Sequence, residues 1–156
     1  MRIGQGFDIH RFSDDNCRPL WLGLVEIPGP GLAGHSDADA ATHALCDALL
    51  GAAGLGDLGR HFPDTDPAFA GASSRSLLEH VVALVSHAGY GVANADVTII
   101  AERPRLGALM TQMSEQLSAV VGAPVSVKAT TAEGLGALGA AEGIAALAVA
   151  LIEEIR

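Results

Sequence analysis

Apolar residues in this chain repeat first at every second position and then, from Ala38 onward, in alternating helical and strand-like stretches, and that order restricts the fold. Between Arg2 and Phe12, the residues Ile3, Phe7 and Ile9 alternate with polar or small ones, which predicts a strand. Gly4 and Gly6 in it leave room for close backbone approach. Residues 20–27 read as a partner strand, and the polar, turn-rich stretch 13–19 between them suggests a hairpin. Ala41, Leu45, Ala48, Leu49 and Ala52 then fall at helical spacing, with Ser36 or Asp37 as cap and Gly54 and Gly56 closing the segment. A second helix opens at Ser73 or Ser74 and stops near Gly89. Residues 92–101 read as a buried strand, 106–121 as a third helix, 125–131 as a strand and 142–155 as a final helix. Strands first, then helices alternating with strands, predict an α+β fold, a four-stranded sheet with helices packed on one face. The chain, residues 1–156, reads as a single domain.

Hydrophobic residues make up 49% of the chain but aromatic ones only 4%, so the core must be built from small, closely packed aliphatic side chains. Further stability through oligomer contacts fits such a core. The formal net charge of -9, from 18 acidic residues against 9 Lys and Arg, repels nucleic-acid backbones. An anionic substrate would need its charge met locally, by a metal, by backbone N–H groups or by a few well-placed basic side chains. Cys17 and Cys46 lack metal-type spacing and read as free thiols of a reducing cytoplasm. The N-terminus lacks the basic stretch and apolar run of a signal peptide, and the apolar stretch 143–152 is too short to span a bilayer. A soluble, cytoplasmic protein with neither nucleic-acid nor membrane partners is expected.

Asp8 and His10 stand two apart on a predicted strand, so their side chains leave the same face and can converge on one ion. By itself D-x-H is a common pattern, and solvated strand polarity explains it as well. A catalytic zinc needs a third protein ligand, and His35, His43 and His61 are the candidates. His43, in the first turns of the predicted helix and four residues before Asp47, is the best placed, with Asp47 as acceptor for its second ring N–H. His35 precedes Ser36, Asp37 and Asp39 at a helix N-terminus, a setting that suits an anion, and is assigned to substrate. Asp57, Asp64 and Asp66 share one glycine-rich loop and read equally as ligands for hydroxyls or cations and as a solvated acidic turn. The segment KATTAE brings Thr130, Thr131 and Glu133 to a strand end, where they suit phosphate and a hard cation, or simply cap a helix.

Together, RIGQGFDIHRF, AGHSDADAATHALCDALLGAAGLGDLGRHFPDTDP, NADVTIIAERPR and VKATTAEGLG resemble, in order and spacing, the 2-C-methyl-D-erythritol 2,4-cyclodiphosphate synthase family over nearly the whole chain. The resemblance implies a homotrimer with active sites between neighbouring subunits, acting on the non-mevalonate route to isoprenoids. It implies a small-molecule substrate, 4-diphosphocytidyl-2-C-methyl-D-erythritol 2-phosphate, whose 2-phosphate attacks the β-phosphorus and expels CMP. By the same resemblance Asp8, His10 and His43 bind one zinc ion per subunit, and Glu133 binds magnesium or manganese beside the substrate diphosphate. His35 and Thr131 then act on the developing charge. Asp8, His10, Ser36, Asp57, Gly59, Phe62, Asp64 and Asp66 map to the metal and methylerythritol side. Ala101, Arg105, Leu106, Gly107 and Thr130 map to the cytidine and its phosphates.

The chain also departs from that family. Ala137 and Ala140 replace a usual aromatic and a usual phosphate-facing arginine, which argues against isoprenoid diphosphate binding on a trimer axis. Ala132 stands for a usual Thr, Ala38 for a common Gly and Arg105 for a usual Lys, and for the last two little effect is expected. Two other readings stay open, a zinc hydrolase using Asp57 or Glu133 to activate water, and a non-catalytic trimeric binder of cytidine nucleotides or isoprenoid diphosphates.

Overall fold

The computed structural model describes residues 1–63, 65–66 and 71–155. Asp64, one of the expected substrate residues, lies outside the described residues. The chain runs β1 (Arg2–Arg11), β2 (Leu20–Leu22), β3 (Val25–Ile27), α1 (Ala40–Ala53), α2 (Leu58–His61), α3 (Ser74–His87), β4 (Tyr90–Ile100), α4 (Met110–Val121), β5 (Val125–Thr130), α5 (Gly136–Gly139) and β6 (Gly143–Glu154). The main sheet has the order β1-β6-β4-β5, with β6 antiparallel to both neighbours and β4 parallel to β5.

The expected α+β architecture with a four-stranded sheet is present, but its membership differs from the sequence reading in two places. Residues 143–154 form strand β6 inside the sheet and not a final helix. Four alanines at 145, 146, 148 and 150 suggested a helix, because Ala has the highest helix propensity. The tertiary setting overrides it: Ile144, Ala146, Ala148, Ala150 and Ile152 point into the core while Leu147 and Val149 point out, a period of two. Residues 20–27 do not pair with β1. They make their own hairpin of β2 and β3, turned at Gly23 and Leu24, both with positive φ as a tight hairpin turn requires. The helix expected from 106 begins at Met110, and the expected loops contain the short helices α2 and α5.

Helix α1 covers the sheet at β1, β6 and β4. It can lie close because the strand positions beneath it are small. Across the sheet, Gly4 pairs with Ala150 and that with Ala95, and Gly6 pairs with Ala148. A Cβ on Gly4 would lie 2.0 Å from the Ala48 carbonyl oxygen, and one on Gly6 1.9 Å from that of Ala44. Helix and strand therefore meet backbone to backbone, and no side chain other than hydrogen fits at either position.

The N-cap of α1 is Asp39, not Ser36 or Asp37. Its buried carboxylate accepts from Thr42 N at 3.0 Å, Thr42 Oγ1 at 2.7 Å, Gly23 N at 2.9 Å and Leu24 N at 2.8 Å. One side chain thus caps the helix and pins the β2–β3 turn against it. Burial raises the Asp39 pKa, and the backbone donors of Leu24 and Thr42 oppose that rise. Just before it, buried Ala38 has φ 57, where a Cβ is strained, so the exchange of a common Gly for Ala falls at a position that favours glycine.

The opposite face of the sheet carries Ile3, Phe7 and Ile9 of β1 and Leu147 and Val149 of β6, all exposed. Both cysteines are free, Cys17 exposed and Cys46 buried. Among the described residues no helix is long and apolar enough to cross a membrane.

The contact of α1 on β1 makes a paired prediction. Gly6→Ala should lower the calorimetric unfolding midpoint by roughly 5–10 °C, the effect of a few kcal/mol of overpacking in a chain of this size. Gly51→Ala, on the α1 side of the contact but with its nearest neighbour, the Gln5 carbonyl oxygen, at 4.0 Å, should leave the midpoint unchanged or raise it. Equal effects of the two would contradict the close contact.

Candidate active site

Asp8 and His10 project from the helix-facing side of β1, where the register sets them opposite Ala146 and Ile144. His43 comes from the second turn of α1. The close approach at Gly4 and Gly6 brings it over the strand, so that His43 Nδ1 lies 3.1 Å from Asp8 Oδ2 and His10 Nε2 lies 2.9 Å from the same oxygen. One donor atom from each residue falls within 4.8 Å of the others, a cluster sized for a single ion. His10 Nδ1 is 2.7 Å from the Ala33 carbonyl oxygen, so this nitrogen carries the proton and Nε2 carries the free lone pair. That buried Nε2 meets only Asp8 Oδ2, itself an acceptor, and so receives no hydrogen bond. Burial would raise the Asp8 pKa, but the two imidazoles of His10 and His43 beside it outweigh this and hold the carboxyl well below the usual carboxylate range. Burial likewise would lower His10, and the Asp8 carboxylate reverses this and raises it.

A carboxylate and two imidazoles, with one nitrogen buried and unsatisfied, form a donor set suited to zinc with a position left open. The three ligands expected from sequence are therefore brought together. The expected partner of His43 is not Asp47. Asp47 accepts from Leu58 N at 2.7 Å, while His43 Nε2 faces Ser74 Oγ at 3.0 Å and Ser36 Oγ at 3.3 Å. Position four on the same helix was the signal for Asp47; Ser74 comes from α3, and nothing in sequence spacing points to it.

Beside the triad is a cleft of about 340 Å³ lined by His10, Gly34, His35, Ser36, His43, Leu58, Gly59, Phe62 and Leu77. It gathers the expected His35, Ser36, Gly59 and Phe62 at the metal side, and adds Leu58 and Leu77, which the sequence reading missed. Asp57 caps α2 by accepting from Arg60 N at 2.9 Å, and Asp66 donates its backbone N–H to the Pro63 carbonyl at 3.0 Å. His61 turns instead to the Leu55 carbonyl, 2.9 Å away, and takes no place in the triad.

A second cleft, about 670 Å³, lies at the ends of β4 and β5 and holds Ala101, Arg105, Leu106, Gly107, Thr130 and Thr131. Glu102, within the stretch 101–107 that the resemblance maps to the cytidine, is also in its lining. Its carboxylate accepts from Ala132 N at 2.9 Å and fixes the turn that follows Thr131. Thr131 Oγ1 donates to Glu133 Oε1 at 2.8 Å, and both residues are exposed. Ala137 and Ala140 fall in α5 and at its C-cap, and Ala137 borders a third hollow with Ile9, Arg11 and Leu138.

The YgbB family model matches residues 1–153. The 2-C-methyl-D-erythritol 2,4-cyclodiphosphate synthase of Symbiobacterium thermophilum is 58% identical to this chain, covering 97% of it and 98% of that protein. The structure of the bifunctional IspDF of Campylobacter jejuni superposes with a TM-score of 0.93 at 39% identity, over 99% of this chain and 42% of that one. The IspF of Plasmodium falciparum in complex with CDP superposes with a TM-score of 0.85 at 31% identity, over 99% of this chain and 97% of that one. With the Asp8–His10–His43 cluster, the two clefts and these similarities in agreement, the chain belongs to the YgbB family.

Proposed function

We infer that this chain converts 4-diphosphocytidyl-2-C-methyl-D-erythritol 2-phosphate to 2-C-methyl-D-erythritol 2,4-cyclodiphosphate and CMP, in the non-mevalonate formation of isoprenoid precursors. An oxygen of the substrate's 2-phosphate forms a bond to the β-phosphorus, and the bond from that phosphorus to the bridging oxygen breaks, releasing CMP. The nucleophile and the leaving group belong to one molecule, so no protein nucleophile is required and alignment with charge neutralisation is the main task.

The observation that carries this reading is the triad beside the smaller cleft. Asp8, His10 and His43 would hold zinc, and Glu133 magnesium or manganese with the substrate diphosphate; when bound, such cations neutralise and polarise phosphate oxygens as Lewis acids. The chain's own groups do the rest. His35 and the Thr131 hydroxyl stabilise negative charge as it develops on the transferring phosphoryl group. Ser36, Gly59 and Phe62 shape the cleft around the methylerythritol unit, and Asp57, together with the 64–66 segment, takes its hydroxyls. Ala101, Arg105, Leu106, Gly107 and Thr130 hold the cytidine and its phosphates, with Arg105 as the basic side chain in an acidic protein.

The assembly proposed is a homotrimer of single-domain subunits, in the cytoplasm. Its support is the exposed apolar face at Ile3, Phe7, Ile9, Leu147 and Val149, the kind of surface that contacts between copies cover. The position of the two clefts supports sites shared between copies. Asp8 and His10 sit on one edge strand and Thr130 on the other, three strand spacings of about 4.8 Å apart. The two clefts share no lining residue.

Three outcomes are expected. Phosphorus NMR of the protein with this substrate, zinc and magnesium should show CMP and a cyclic diphosphate appearing together; a linear product would instead indicate hydrolysis, and no turnover would sink the reading. Elemental analysis should find that His43→Ala has lost zinc together with turnover, whereas Glu133→Ala retains zinc and needs more magnesium. In light scattering the protein should have three times its 15.8 kDa chain mass, and Phe7→Glu, which puts charge in the apolar face, should yield smaller species. A wild-type monomer would refute the shared site.

A further inference from the structure

Ser74 is fully buried at the first turn of α3, capped by Ser73. Its backbone N–H donates to Asp37 Oδ2 at 2.7 Å, its hydroxyl is hydrogen-bonded to Asp37 Oδ1, and its Oγ also lies 3.0 Å from His43 Nε2. A hydroxyl has one proton, and a carboxylate only accepts. The Ser74 proton therefore goes to Asp37, and the lone pairs of Oγ are left to face His43. His43 Nε2 must then be the nitrogen that bears hydrogen, which leaves the lone pair of the neutral ring on Nδ1, the atom 3.1 Å from Asp8 Oδ2. If Ser74 had no acceptor, its hydroxyl could turn and donate to Nε2, and the proton would move to the nitrogen that has to bind metal.

We propose that Asp37 and Ser74 form a positioning relay that fixes His43 in the tautomer and orientation that present Nδ1 to the metal. The inference rests on the assignment of Asp8, His10 and His43 as ligands. It also explains why the two imidazoles offer different nitrogens: His10 is held by a backbone carbonyl at Nδ1 and offers Nε2, and His43 is held at Nε2 and offers Nδ1. Ser36 Oγ, at 3.3 Å from His43 Nε2 and accepting from Ala38 N at 3.2 Å, is a weaker second acceptor for the same N–H. The relay is anchored to the substrate loop as well, since Gly71 N donates to the His35 carbonyl at 2.9 Å and Asp37 N to the Ala72 carbonyl at 3.2 Å. Metal retention and the placement of His35 and Ser36 then depend on the same few hydrogen bonds between the 35–39 loop and the start of α3.

The test is zinc affinity, read by competition with a chromophoric chelator, alongside the unfolding midpoint of the metal-free protein. Ser74→Ala should weaken zinc binding ~10- to 100-fold, the usual effect of losing such an outer hydrogen bond. Asp37→Ala should do the same, and the double variant should lose little more than either alone, as members of one chain do. Leu78→Ala, which empties a buried site on the same helix that lines neither cleft, should lower the midpoint and leave zinc affinity unchanged. Unchanged affinity in both Ser74→Ala and Asp37→Ala, or an equal loss in Leu78→Ala, overturns the relay while leaving the metal assignment standing. A wild-type chain that binds neither zinc nor cobalt overturns both.

Discussion

The backbone contact between α1 and β1 is the constraint on which the rest of the structure depends. Gly4 and Gly6 remove the side chains that would hold the helix away, and Ala44, Ala48 and Ala52 present the helix's thinnest face to them. The contact is productive because the two elements bring complementary chemistry: β1 supplies Asp8 and His10 from the strand face beneath α1, and α1 supplies His43 directly above. A helix about 10 Å from the sheet, the spacing that ordinary side chains impose, would leave the three donor atoms too far apart for one ion. Small residues in the core are thus part of the site's geometry, and the low aromatic content that first describes the chain has its structural reason here.

The same requirement accounts for the composition of β6. As a central strand it lies under α1 on one side, so the inward positions must be small or slender, which Ala146, Ala148 and Ala150 satisfy, while Leu147 and Val149 face outward and are exposed. Alanine in that strand reflects the closeness of the helix above it and has nothing to do with helix formation. A propensity argument weighs alanine by its local preference alone and so assigns a helix; the competing signal, alternation of large residues at 144, 147, 149 and 152, is interrupted by the very alanines that the packing demands. The first strand suffered no such ambiguity, because its glycines and bulky residues alternate cleanly.

What was legible in the site follows the same line between local and long-range order. Asp8 and His10 are two apart on one strand and could be paired by periodicity alone. His43 needed only the helix it stands on. The Thr131–Glu133 pair, two residues apart at a strand end, was also local, and the structure places a hydrogen bond between them. Ser74 and Leu77 do not show in the sequence because each reaches the site across a tertiary contact, and Asp47 stands out as the partner of His43 because spacing within a helix can be counted while the approach of α3 cannot. The assignment of substrate contacts came from resemblance to a family, a source that carries long-range pairing in its motifs.

Electrostatics presents the remaining difficulty, since a chain with a formal charge of -9 is read as binding a substrate with several phosphates. The carboxylates nearest the smaller cleft resolve part of it, because most are already engaged by donors. Asp37 accepts from the N–H and hydroxyl of Ser74, Asp39 from four groups, Asp47 from Leu58 N and Asp57 from Arg60 N. Asp37, Asp39 and Asp57 stand at helix starts, where the unpaired N–H groups and the positive end of the helix dipole offset their charge. Such carboxylates shape loops while adding little net field at the cleft. Asp8 is the exception: its charge is held low in pKa and shared by two histidines, and a divalent cation would reverse the sign of that corner. An acidic surface and an anionic substrate are therefore compatible here, because Asp37, Asp39, Asp47 and Asp57 are engaged by backbone and hydroxyl donors and Asp8 is clustered with two imidazoles.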